Sequence, residues 1–302
     1  MDRRRALGFL AAAAGAAGAW PACAQSQAAH LRTVAASGEK LPVVGLGTWL
    51  TFDVGGADSP QRRARGEILR AFFAAGGRLL DSSPMYGTSE AVIGAELARA
   101  PAQGLFSATK VWTVGGLPGR RQMQHSLGLW GVPRFDLMQV HNLLDWETHW
   151  GLLKAWKSEG RLRHIGMTTS HGRRHDDLER ILKRERPDFV QFTYNLNDRE
   201  AERTLLPLAA QQGAAVIINR PFDGGGLFGA KTRKALPGWA AEIGCRSWAE
   251  AFLKWVVAHP AVTCAIPATS QLAHLQENMR ALAGPLPDAA LRRRIADDYA
   301  RA

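Results

Sequence analysis

Three ionisable residues each stand at the end of a short apolar run, and a tyrosine lies just beyond the first of them. Asp81 ends RLLD, Lys110 ends LFSATK and His141 ends DLMQVH. Tyr86 follows soon after Asp81 and is itself followed by a glycine. A carboxylate, an ammonium, an imidazole and a phenol can transfer protons and stabilise developing charge when they meet at one site. Each of these residues alone is more often part of a salt bridge or a polar cap, but together they indicate an active site.

Eight short apolar runs alternate with helical patterns along the chain, and these runs supply the strands that must bring the four residues together. Continuously apolar strands alternating with helices predict a parallel sheet that is covered on both faces. Eight such units close a (β/α)8 barrel of the TIM type, in which the chemistry lies at the carboxyl ends of the strands. We therefore predict an α/β fold, a single-domain TIM barrel over residues 31–302. The predicted strands end at Gly47, Asp81, Lys110, His141, Thr169, Tyr194, Asn219 and Ala268.

Length and charge narrow the class of protein further. The chain has 302 residues, 46% of them hydrophobic, which is enough for a large core, and its formal net charge is +11. That charge favours anions such as phosphates. It is not accompanied by a basic stripe studded with aromatic residues, so we do not expect nucleic-acid binding. The GLGTWL segment at 45–50 lacks the third glycine of a dinucleotide-binding Rossmann motif, which also favours the barrel.

Residues 1–24 have the layout of a signal peptide. Arg3, Arg4 and Arg5 precede an Ala/Gly-rich apolar stretch, and small residues around Ala24 suit cleavage after that position. The pattern resembles a bacterial twin-arginine leader, which directs folded proteins to the export machinery. We expect a periplasmic or otherwise exported protein with no stable membrane insertion after processing. An uncleaved anchor and a wrongly assigned start are the alternatives.

Cysteines and histidines give weaker signals. Removal of the leader takes away Cys23 and leaves Cys245 and Cys264, which we expect to be buried thiols rather than a disulfide. The segment HGRRHDDLER at 171–180 has histidines and aspartates at spacings that could ligate a metal. Acidic residues are also typical of the start of a helix. We predict a helix start there and no metal site.

Four segments resemble the aldo-keto reductase superfamily. LLDSSPMYGTSEAVIG has the family's Asp-x4-Tyr-Gly pattern, SATK is similar to its lysine strand, and DLMQVHN is similar to its histidine strand. IPATSQLAHLQEN is similar to the segment after the last strand that binds the adenosine phosphate. The resemblance runs from about Leu31 to the end of the chain. It implies a (β/α)8 barrel, NAD(P)H-dependent reduction of carbonyl compounds, and no metal.

The resemblance assigns the catalytic roles to Asp81, Tyr86, Lys110 and His141. A carbonyl oxygen that accepts hydride builds negative charge and needs a proton donor. Tyr86 would be that donor, with Lys110 lowering the pKa of its phenol. Asp81 would supply the counter-charge that a buried ammonium needs. His141 would orient the carbonyl oxygen of a small-molecule substrate from the other side.

The resemblance also implies a binding site for NADP(H), with NAD(H) as an alternative. The loop after the first strand would contact the nicotinamide ribose, and Thr168, Thr169 and Gln191 would hold the carboxamide. Ser270 is also predicted as the N-cap of a helix whose first turn meets a phosphate. The candidate cofactor-binding residues are Gly47, Thr48, Trp49, Asp81, Thr168, Thr169, Gln191, Asn219, Arg220, Pro221, Phe222, Ala268, Thr269, Ser270, His274 and Asn278.

Four positions depart from the family pattern. Asn219 stands where an aromatic residue usually stacks under the nicotinamide, and Thr169 replaces an asparagine of the carboxamide site. We expect the loss of the aromatic ring to weaken cofactor binding by about tenfold or less. Ala268 and His274 replace the lysine and arginine that hold the 2′-phosphate in many members. The predicted preference for NADP(H) is therefore modest.

The substrate pocket has no chemical signature of its own. Trp112, Trp146, Trp150 and Phe222 are candidate lining residues, although packing in the core explains each of them equally well. The DGGGLF segment at 223–228 is predicted to be a flexible loop over the cofactor. The alternative to an enzyme is an exported barrel that binds a nucleotide as a sensor or scaffold without turnover. The four catalytic candidates argue against that alternative.

Overall fold

The computed structural model describes residues 29–100 and 102–301. The predicted leader, residues 1–24, lies outside the described residues, together with its arginines, Cys23 and the predicted cleavage position. Within the described residues, no helix is both long enough and apolar enough to cross a membrane.

The strands form a small hairpin and a barrel. In the described residues they are β1 Leu31–Thr33, β2 Lys40–Pro42, β3 Leu46–Gly47, β4 Leu79–Asp81, β5 Phe106–Val111, β6 Phe135–Val140, β7 Leu162–Thr168, β8 Phe189–Thr193, β9 Ala215–Asn219 and β10 Cys264–Ala265. Strands β1 and β2 pair antiparallel, whereas β3 to β10 follow one another in chain order around one parallel sheet. Parallel bridges from Val44 to Ala265 and from Gly47 to Ala268 join the two ends of that sheet. The predicted TIM barrel is confirmed.

Helices cover the outside of the barrel. In the described chain they are α1 Pro60–Ala74, α2 Ser89–Arg99, α3 Gly116–Trp130, α4 Trp146–Ser158, α5 His175–Leu182, α6 Leu205–Gln212, α7 Trp239–Glu242, α8 Trp248–Val257, α9 Leu272–Met279 and α10 Ala289–Arg301. The sequence explains the start of α1, because the Ser59 hydroxyl accepts the N–H of Arg62 and a proline occupies the first turn. Ile68 and Phe72 of this helix are buried in the core.

The amino end of the barrel is closed. Val34 and Leu41, in and beside the β1–β2 hairpin, are fully buried and join the cluster of side chains that fills the barrel interior. Arg163 on β7 bridges Glu39 and Asp136, with N–O distances of 2.7 and 2.5 Å. This hairpin was not predicted from the sequence, because strands of three residues carry almost no periodicity. The open cavity lies at the carboxyl end of the strands.

The predicted strand ends agree closely with the observed ones. Strands β3, β4 and β9 end at the predicted residues. The largest difference is in β10, which ends at Ala265 rather than at Ala268. Pro267 has no N–H with which to continue a ladder. Beyond β10 the Ile266 N–H still donates to the Ile218 carbonyl at 2.9 Å, and Ala268 forms an isolated bridge with Gly47.

The two remaining cysteines are free, and the 171–180 segment leads into a helix. Cys264 is buried in β10, Cys245 lies half-buried just after α7, and both are free thiols. Burial raises the pKa of Cys245 to about 12, so its thiol stays protonated. Helix α5 begins at His175 with two aspartates in its first turn. The described residues contain no group of three or more His, Cys, Asp or Glu that could hold a metal.

Candidate active site

Asp81 and Lys110 form a buried ion pair at the carboxyl end of the barrel. Asp81 is the last residue of β4, and Lys110 lies on the neighbouring parallel strand β5. Lys110 Nζ is 2.6 Å from Asp81 Oδ2 and donates a second hydrogen bond to the Ser82 carbonyl at 2.8 Å. The Lys110 side chain is fully buried and that of Asp81 is 2% exposed. The ammonium therefore has a counter-charge in direct contact.

Two glutamine side chains complete the surroundings of the Asp81 carboxylate. Gln139 and Gln191 both donate to Asp81 Oδ1, at 3.3 and 3.1 Å. Gln191 was a candidate for the carboxamide site, whereas Gln139 was missed by sequence analysis. Its position two residues before His141 was the available signal, because residues two apart in a strand share a face. With both oxygens engaged, the carboxylate is fixed in one orientation.

The segment that carries Tyr86 is tied down on both sides. The Tyr86 N–H donates to the Ser83 carbonyl at 2.9 Å. Beyond the tyrosine, Asp53 accepts the N–H and the hydroxyl of Thr88, at 2.9 and 2.7 Å. Gly87 has a φ of +58°, and a Cβ there would lie 2.3 Å from the Asp53 carboxylate. A glycine follows the tyrosine because a side chain would collide with this anchor.

The phenol of Tyr86 lies close to the ion pair and borders the open cavity. Lys110 Nζ is 5.2 Å from the centre of the Tyr86 ring. The ring of His141 packs edge-on against the same phenol, with centres 5.7 Å apart, and both rings line the cavity. The structure thus brings the four candidate catalytic residues together at one site.

Burial sets the protonation states of these groups. It raises the pKa of Tyr86 above its ordinary value, and the charge of Asp81 raises it further. The sequence led us to expect that Lys110 lowers this pKa, but in the resting site burial and the charge of Asp81 outweigh the effect of Lys110 and the pKa is raised. Burial and the charge of Lys110 hold the pKa of His141 well below its usual value. The site at rest therefore contains a protonated phenol and a neutral imidazole.

A second carboxyl group, Glu90, is buried near Lys110. It lies in the first turn of α2 and accepts hydrogen bonds from Thr109 Oγ1 at 2.6 Å, Ser126 Oγ at 2.8 Å and Trp130 Nε1 at 3.0 Å. Burial raises the pKa of Glu90, and burial lowers the pKa of Lys110 although the nearby carboxylates oppose that shift. Glu90 was not predicted from the sequence. The available signal was an acidic residue on the apolar face of an amphipathic helix.

A cavity of about 590 Å³ opens at the carboxyl end of the barrel. Thr169 and Arg220 line it, and the Thr169 hydroxyl and the Arg220 Nε are buried without a hydrogen-bond partner among the described residues. A cavity of this size with unpaired polar atoms fits part of a dinucleotide. The candidate cofactor-binding residues that line the cavity are Gly47, Thr48, Trp49, Asp81, Thr168, Thr169, Gln191, Asn219, Arg220, Pro221, Phe222 and Ala268.

Most residues predicted to hold the adenosine phosphate lie outside the cavity wall. Ala268 lines the cavity and is exposed, whereas Thr269, Ser270, His274 and Asn278 are not among its lining residues. Ser270 and His274 are exposed to solvent, and Asn278 is buried in α9. Ser270 and His274 are therefore accessible to a phosphate, whereas the side chain of Asn278 is buried in the protein.

The predicted N-cap of the helix in this segment is wrong by one residue. Helix α9 begins at Leu272, and Gln271 rather than Ser270 is its N-cap. The Thr269 hydroxyl accepts the N–H of Gln271 at 3.1 Å. This side-chain turn holds the chain in a non-helical conformation for one residue longer than the sequence pattern indicated.

Asn219 connects three strands at the position where the family pattern has an aromatic residue. Its Oδ1 accepts the Thr193 hydroxyl and its Nδ2 donates to the Thr169 carbonyl, both at 2.8 Å. An aromatic ring could not make these bonds. Arg220 follows with its guanidinium 3.3 Å from the Asp223 carboxylate. The departure from the pattern therefore has a structural role in linking the ends of β7, β8 and β9.

The four aromatic candidates for a substrate pocket separate into two pairs. Phe222 lines the cavity, and the ring of Trp112 lies 6.5 Å from that of His141. Trp146 and Trp150 belong to α4, on the outside of the barrel, and pack in the hydrophobic core. Those two residues have no place in the substrate pocket, because α4 turns its apolar face towards the strands.

Comparison with known proteins agrees with this geometry. The sequence profile of the aldo/keto reductase family matches residues 43–294. That match covers most of the chain, so the protein belongs to the aldo/keto reductase family. The class of enzyme follows from the family: the protein is an NAD(P)H-dependent oxidoreductase that reduces a carbonyl group.

Several individual proteins are similar to this chain. Methylglyoxal reductase YeaE of Escherichia coli K12 is 29% identical over 258 residues, which are 83% of this chain and 89% of that protein. An NADH-specific methylglyoxal reductase of the same organism is 29% identical over 230 residues, 65% of this chain and 68% of that protein. The crystal structure of an aldo/keto reductase from Klebsiella pneumoniae in complex with NADP and acetate has a TM-score of 0.74 at 22% identity, covering 88% of this chain and 94% of that chain. At this identity the likeness shows the shared fold.

Proposed function

We propose that this enzyme reduces the carbonyl group of a small aldehyde or dicarbonyl compound to an alcohol, with Tyr86 as the proton donor. The observation that carries the proposal is the arrangement at the cavity wall. The Tyr86 and His141 rings face the cavity, Lys110 lies 5.2 Å from the Tyr86 ring, and Asp81 is paired with Lys110. A barrel that only bound a nucleotide would have no use for a buried ammonium beside a tyrosine ring.

The residues of the chain polarise and protonate the carbonyl oxygen. When bound beside Thr169, Gln191 and Asn219, a nicotinamide nucleotide supplies the hydride. The phenol of Tyr86 and an N–H of His141 donate hydrogen bonds to the carbonyl oxygen, and the phenol proton moves to that oxygen as negative charge builds on it. Lys110 stabilises the tyrosinate that remains, because its ammonium is fixed in a buried position 5.2 Å from the centre of the Tyr86 ring.

For the nucleotide we propose NADP(H) as the preferred form, with NAD(H) also accepted. The net charge of +11 favours the nucleotide with the extra phosphate. The preference is modest, because Ala268 offers no cation and His274 stands where many members of the family have an arginine. One similar protein bears the name of an NADH-specific enzyme, and the Klebsiella pneumoniae structure holds NADP.

For the substrate we propose small aldehydes and α-dicarbonyl compounds. Two of the similar proteins are named methylglyoxal reductases, and each is 29% identical to this chain. The apolar residues Trp49, Leu50 and Met85 at the cavity wall suit a compact carbonyl compound with little charge.

Steady-state oxidation of NADPH by the purified protein tests the proposed mechanism, with methylglyoxal and 4-nitrobenzaldehyde as substrates. Tyr86→Phe should keep the fold and nucleotide binding, and should lose roughly 10²–10⁴-fold in the rate of reduction, the usual range for a positioned general acid. Tyr299→Phe is the matched control, because the Tyr299 hydroxyl donates to the Leu227 carbonyl at 3.0 Å and does not line the cavity. A Tyr86→Phe enzyme with the parent rate would falsify the assignment of the proton donor.

We also propose that the protein is exported through a twin-arginine leader and works in the periplasm. The support is the run Arg3, Arg4 and Arg5 before an apolar stretch that ends in small residues. A route that carries folded proteins would let the nucleotide travel already bound. Replacing the three arginines by lysines should leave the protein in the cytoplasm, as measured by cell fractionation. Export of that variant at the parent level would contradict the proposal.

A further inference from the structure

We propose that the buried hydroxyl of Ser83 determines which ring nitrogen of His141 carries the proton, and so directs the N–H of His141 Nε2 into the cavity. Ser83 is in this sense a positioning residue, because it acts through His141 and does not itself touch the substrate. The assignment of the tautomer does not depend on the proposed function. Only its consequence, a hydrogen bond from the Nε2–H to the carbonyl oxygen of the substrate, rests on that function.

The geometry around the Ser83 hydroxyl is fully enclosed. Ser83 has no exposed surface, and its Oγ lies 2.9 Å from His141 Nδ1. The backbone N–H of Met85 donates to the same Oγ at 3.2 Å. A backbone N–H can only donate, so Ser83 Oγ already accepts one hydrogen bond, from Met85.

The hydroxyl proton of Ser83 therefore has one acceptor within reach among the described residues, the lone pair of His141 Nδ1. If Nδ1 carried a proton instead, the hydroxyl would accept from both Met85 and His141, and its own proton would be buried without a partner. An unsatisfied buried hydroxyl is unfavourable enough to bias the two tautomers by roughly tenfold or more. The favoured arrangement leaves Nδ1 unprotonated and places the N–H on Nε2.

The charge state of His141 is compatible with this arrangement. A neutral imidazole has one N–H, whereas an imidazolium donates from both nitrogens and could not accept the Ser83 proton. Burial, together with the charge of Lys110, lowers the pKa of His141 and keeps the ring neutral. The rings of Tyr86 and Trp112, which pack against His141, add no titrating charge near neutral pH.

Ser83 also links His141 to the segment that carries the proton donor. Its side chain accepts the Met85 N–H, and its backbone carbonyl accepts the Tyr86 N–H at 2.9 Å. One residue therefore holds the two groups that would meet the carbonyl oxygen, and it does so through its side chain for the imidazole and its main chain for the phenol. Substitution of the side chain should disturb His141 more than Tyr86.

The test is ¹⁵N nuclear magnetic resonance of the full chain labelled at histidine, with the His141 signals assigned by comparison with His141→Asn. In the parent we expect the His141 signals of an Nε2–H tautomer, unchanged between about pH 6 and 8. Ser83→Ala should give a mixture of tautomers or the Nδ1–H form. Ser83→Thr keeps a hydroxyl and should restore the parent signals. Ser107→Ala is the matched control, because Ser107 also has a buried hydroxyl, which donates to Asp136 at 3.0 Å.

Kinetics provide the second measurement. Ser83→Ala should lower kcat for carbonyl reduction by about tenfold, with the nucleotide Kd and the thermal melt close to those of the parent, and Ser83→Thr should recover most of kcat. Parent signals in Ser83→Ala, or an Nδ1–H tautomer in the parent, would overturn the inference. A shift of tautomer in a protein that reduces no carbonyl compound would support the role of Ser83 and would count against the proposed function instead.

Discussion

The Nζ of Lys110 lies 2.6 Å from Oδ2 of Asp81, and the two side chains are shut off from solvent almost completely. The cost of desolvating each buried charge is offset mainly by its attraction to the other charge. Removing one partner therefore leaves the other charge buried and uncompensated. The same ammonium is 5.2 Å from the centre of the Tyr86 ring. Loss of one partner should therefore change stability and catalysis together.

Replacing Lys110 by methionine should destabilise the protein by about 3–5 kcal/mol, because the Asp81 carboxylate remains buried without its counter-charge. Carbonyl reduction should fall as well, since nothing then stabilises a tyrosinate at Tyr86. Urea denaturation followed by tryptophan fluorescence at pH 7 measures the free energy of unfolding, and steady-state NADPH oxidation measures the rate.

The double variant Asp81→Asn/Lys110→Met separates the two effects. With both charges removed, much of the stability lost in Lys110→Met should return, while the rate of reduction stays low. If the double variant is no more stable than Lys110→Met, the loss of stability has another cause than the unpaired carboxylate.

Gly87→Ala should slow carbonyl reduction without altering a catalytic side chain. The left-handed conformation costs a non-glycine residue about 1–2 kcal/mol, and the new Cβ would meet the Asp53 carboxylate at 2.3 Å. Relief of that contact breaks the hydrogen bonds from Thr88 to Asp53 and displaces Tyr86. A displacement of this kind can lower the rate by on the order of 10²-fold. Rates and thermal melts of the variant and parent test this.

Gly131→Ala is the matched control for Gly87→Ala. Gly131 ends α3 with a φ of +65°, and a Cβ there would meet nothing within 4 Å. Both variants should lose a similar amount of stability from backbone strain, but the rate should fall only in Gly87→Ala. Equal losses of activity in the two variants would show that the contact with Asp53 does not position Tyr86.

Much of the barrel could be predicted because its strands are continuously apolar and its chemistry lies where they end. Asp81 is the last residue of β4, and Lys110 and His141 lie within one residue of the ends of β5 and β6. Once eight strands have been counted, local sequence is enough to predict that such residues lie together at the carboxyl end of the barrel. The β1–β2 hairpin was not predicted, because its position depends on contacts with residues at the amino end of the barrel that are far away in the sequence. The hydrophobic pattern of the hairpin itself does not indicate it.

The protonation states and the secondary contacts of the site could not be predicted in the same way. The pKa of Tyr86 depends on how tightly its ring is enclosed and on how far Asp81 neutralises Lys110, and both are distances in space. From the sequence, Asn219 was expected only to weaken cofactor binding at a stacking position, whereas in the structure its side chain forms hydrogen bonds with Thr193 and Thr169. Such long-range bonds leave no periodic signal in the sequence.

Ala268→Lys should strengthen the preference for NADPH over NADH. Ala268 is exposed at the cavity wall, so a lysine has room to reach a 2′-phosphate without displacing other side chains. A charge-assisted hydrogen bond contributes about 1.5–3 kcal/mol, which corresponds to roughly a tenfold to hundredfold change in the ratio of the two Kd values. Titration of nucleotide binding by the quenching of tryptophan fluorescence gives both constants.

Ala36→Lys is the control for the added charge. Ala36 is exposed in the turn of the β1–β2 hairpin, at the opposite end of the barrel. The Ala36→Lys substitution raises the net charge by the same amount, but the new lysine cannot reach the cavity. The ratio of the Kd values for NADPH and NADH should therefore stay at the parent value. A ratio that is unchanged in Ala268→Lys, or that changes equally in both variants, would show that the segment around Ala268 does not hold the 2′-phosphate.

Acid should destabilise the protein through histidines that are buried in the neutral form. His164 on β7 is 3% exposed, and neither of its ring nitrogens has a hydrogen-bond partner among the described residues. Burial lowers the pKa of His164, although the charge of Asp188 opposes the shift. In the unfolded chain a histidine titrates near about pH 6.5. Below that pH the unfolded state binds more protons than the folded state, so stability falls as the pH drops towards the lowered pKa of the folded protein.

His164→Leu should reduce this sensitivity to acid, because leucine does not titrate and the neighbouring rings of Phe106 and Phe189 suit an apolar side chain. Below about pH 6.5 one such histidine contributes a loss of up to about 1.4 kcal/mol per pH unit, which the variant should lack. Urea denaturation at pH 7.5, 6.5 and 5.5 measures the slope. His125→Leu, at an exposed position on α3, should keep the slope of the parent. If His164→Leu loses stability as steeply as the parent, the sensitivity to acid originates from other groups, and His164 is protonated as readily in the folded protein as in the unfolded chain.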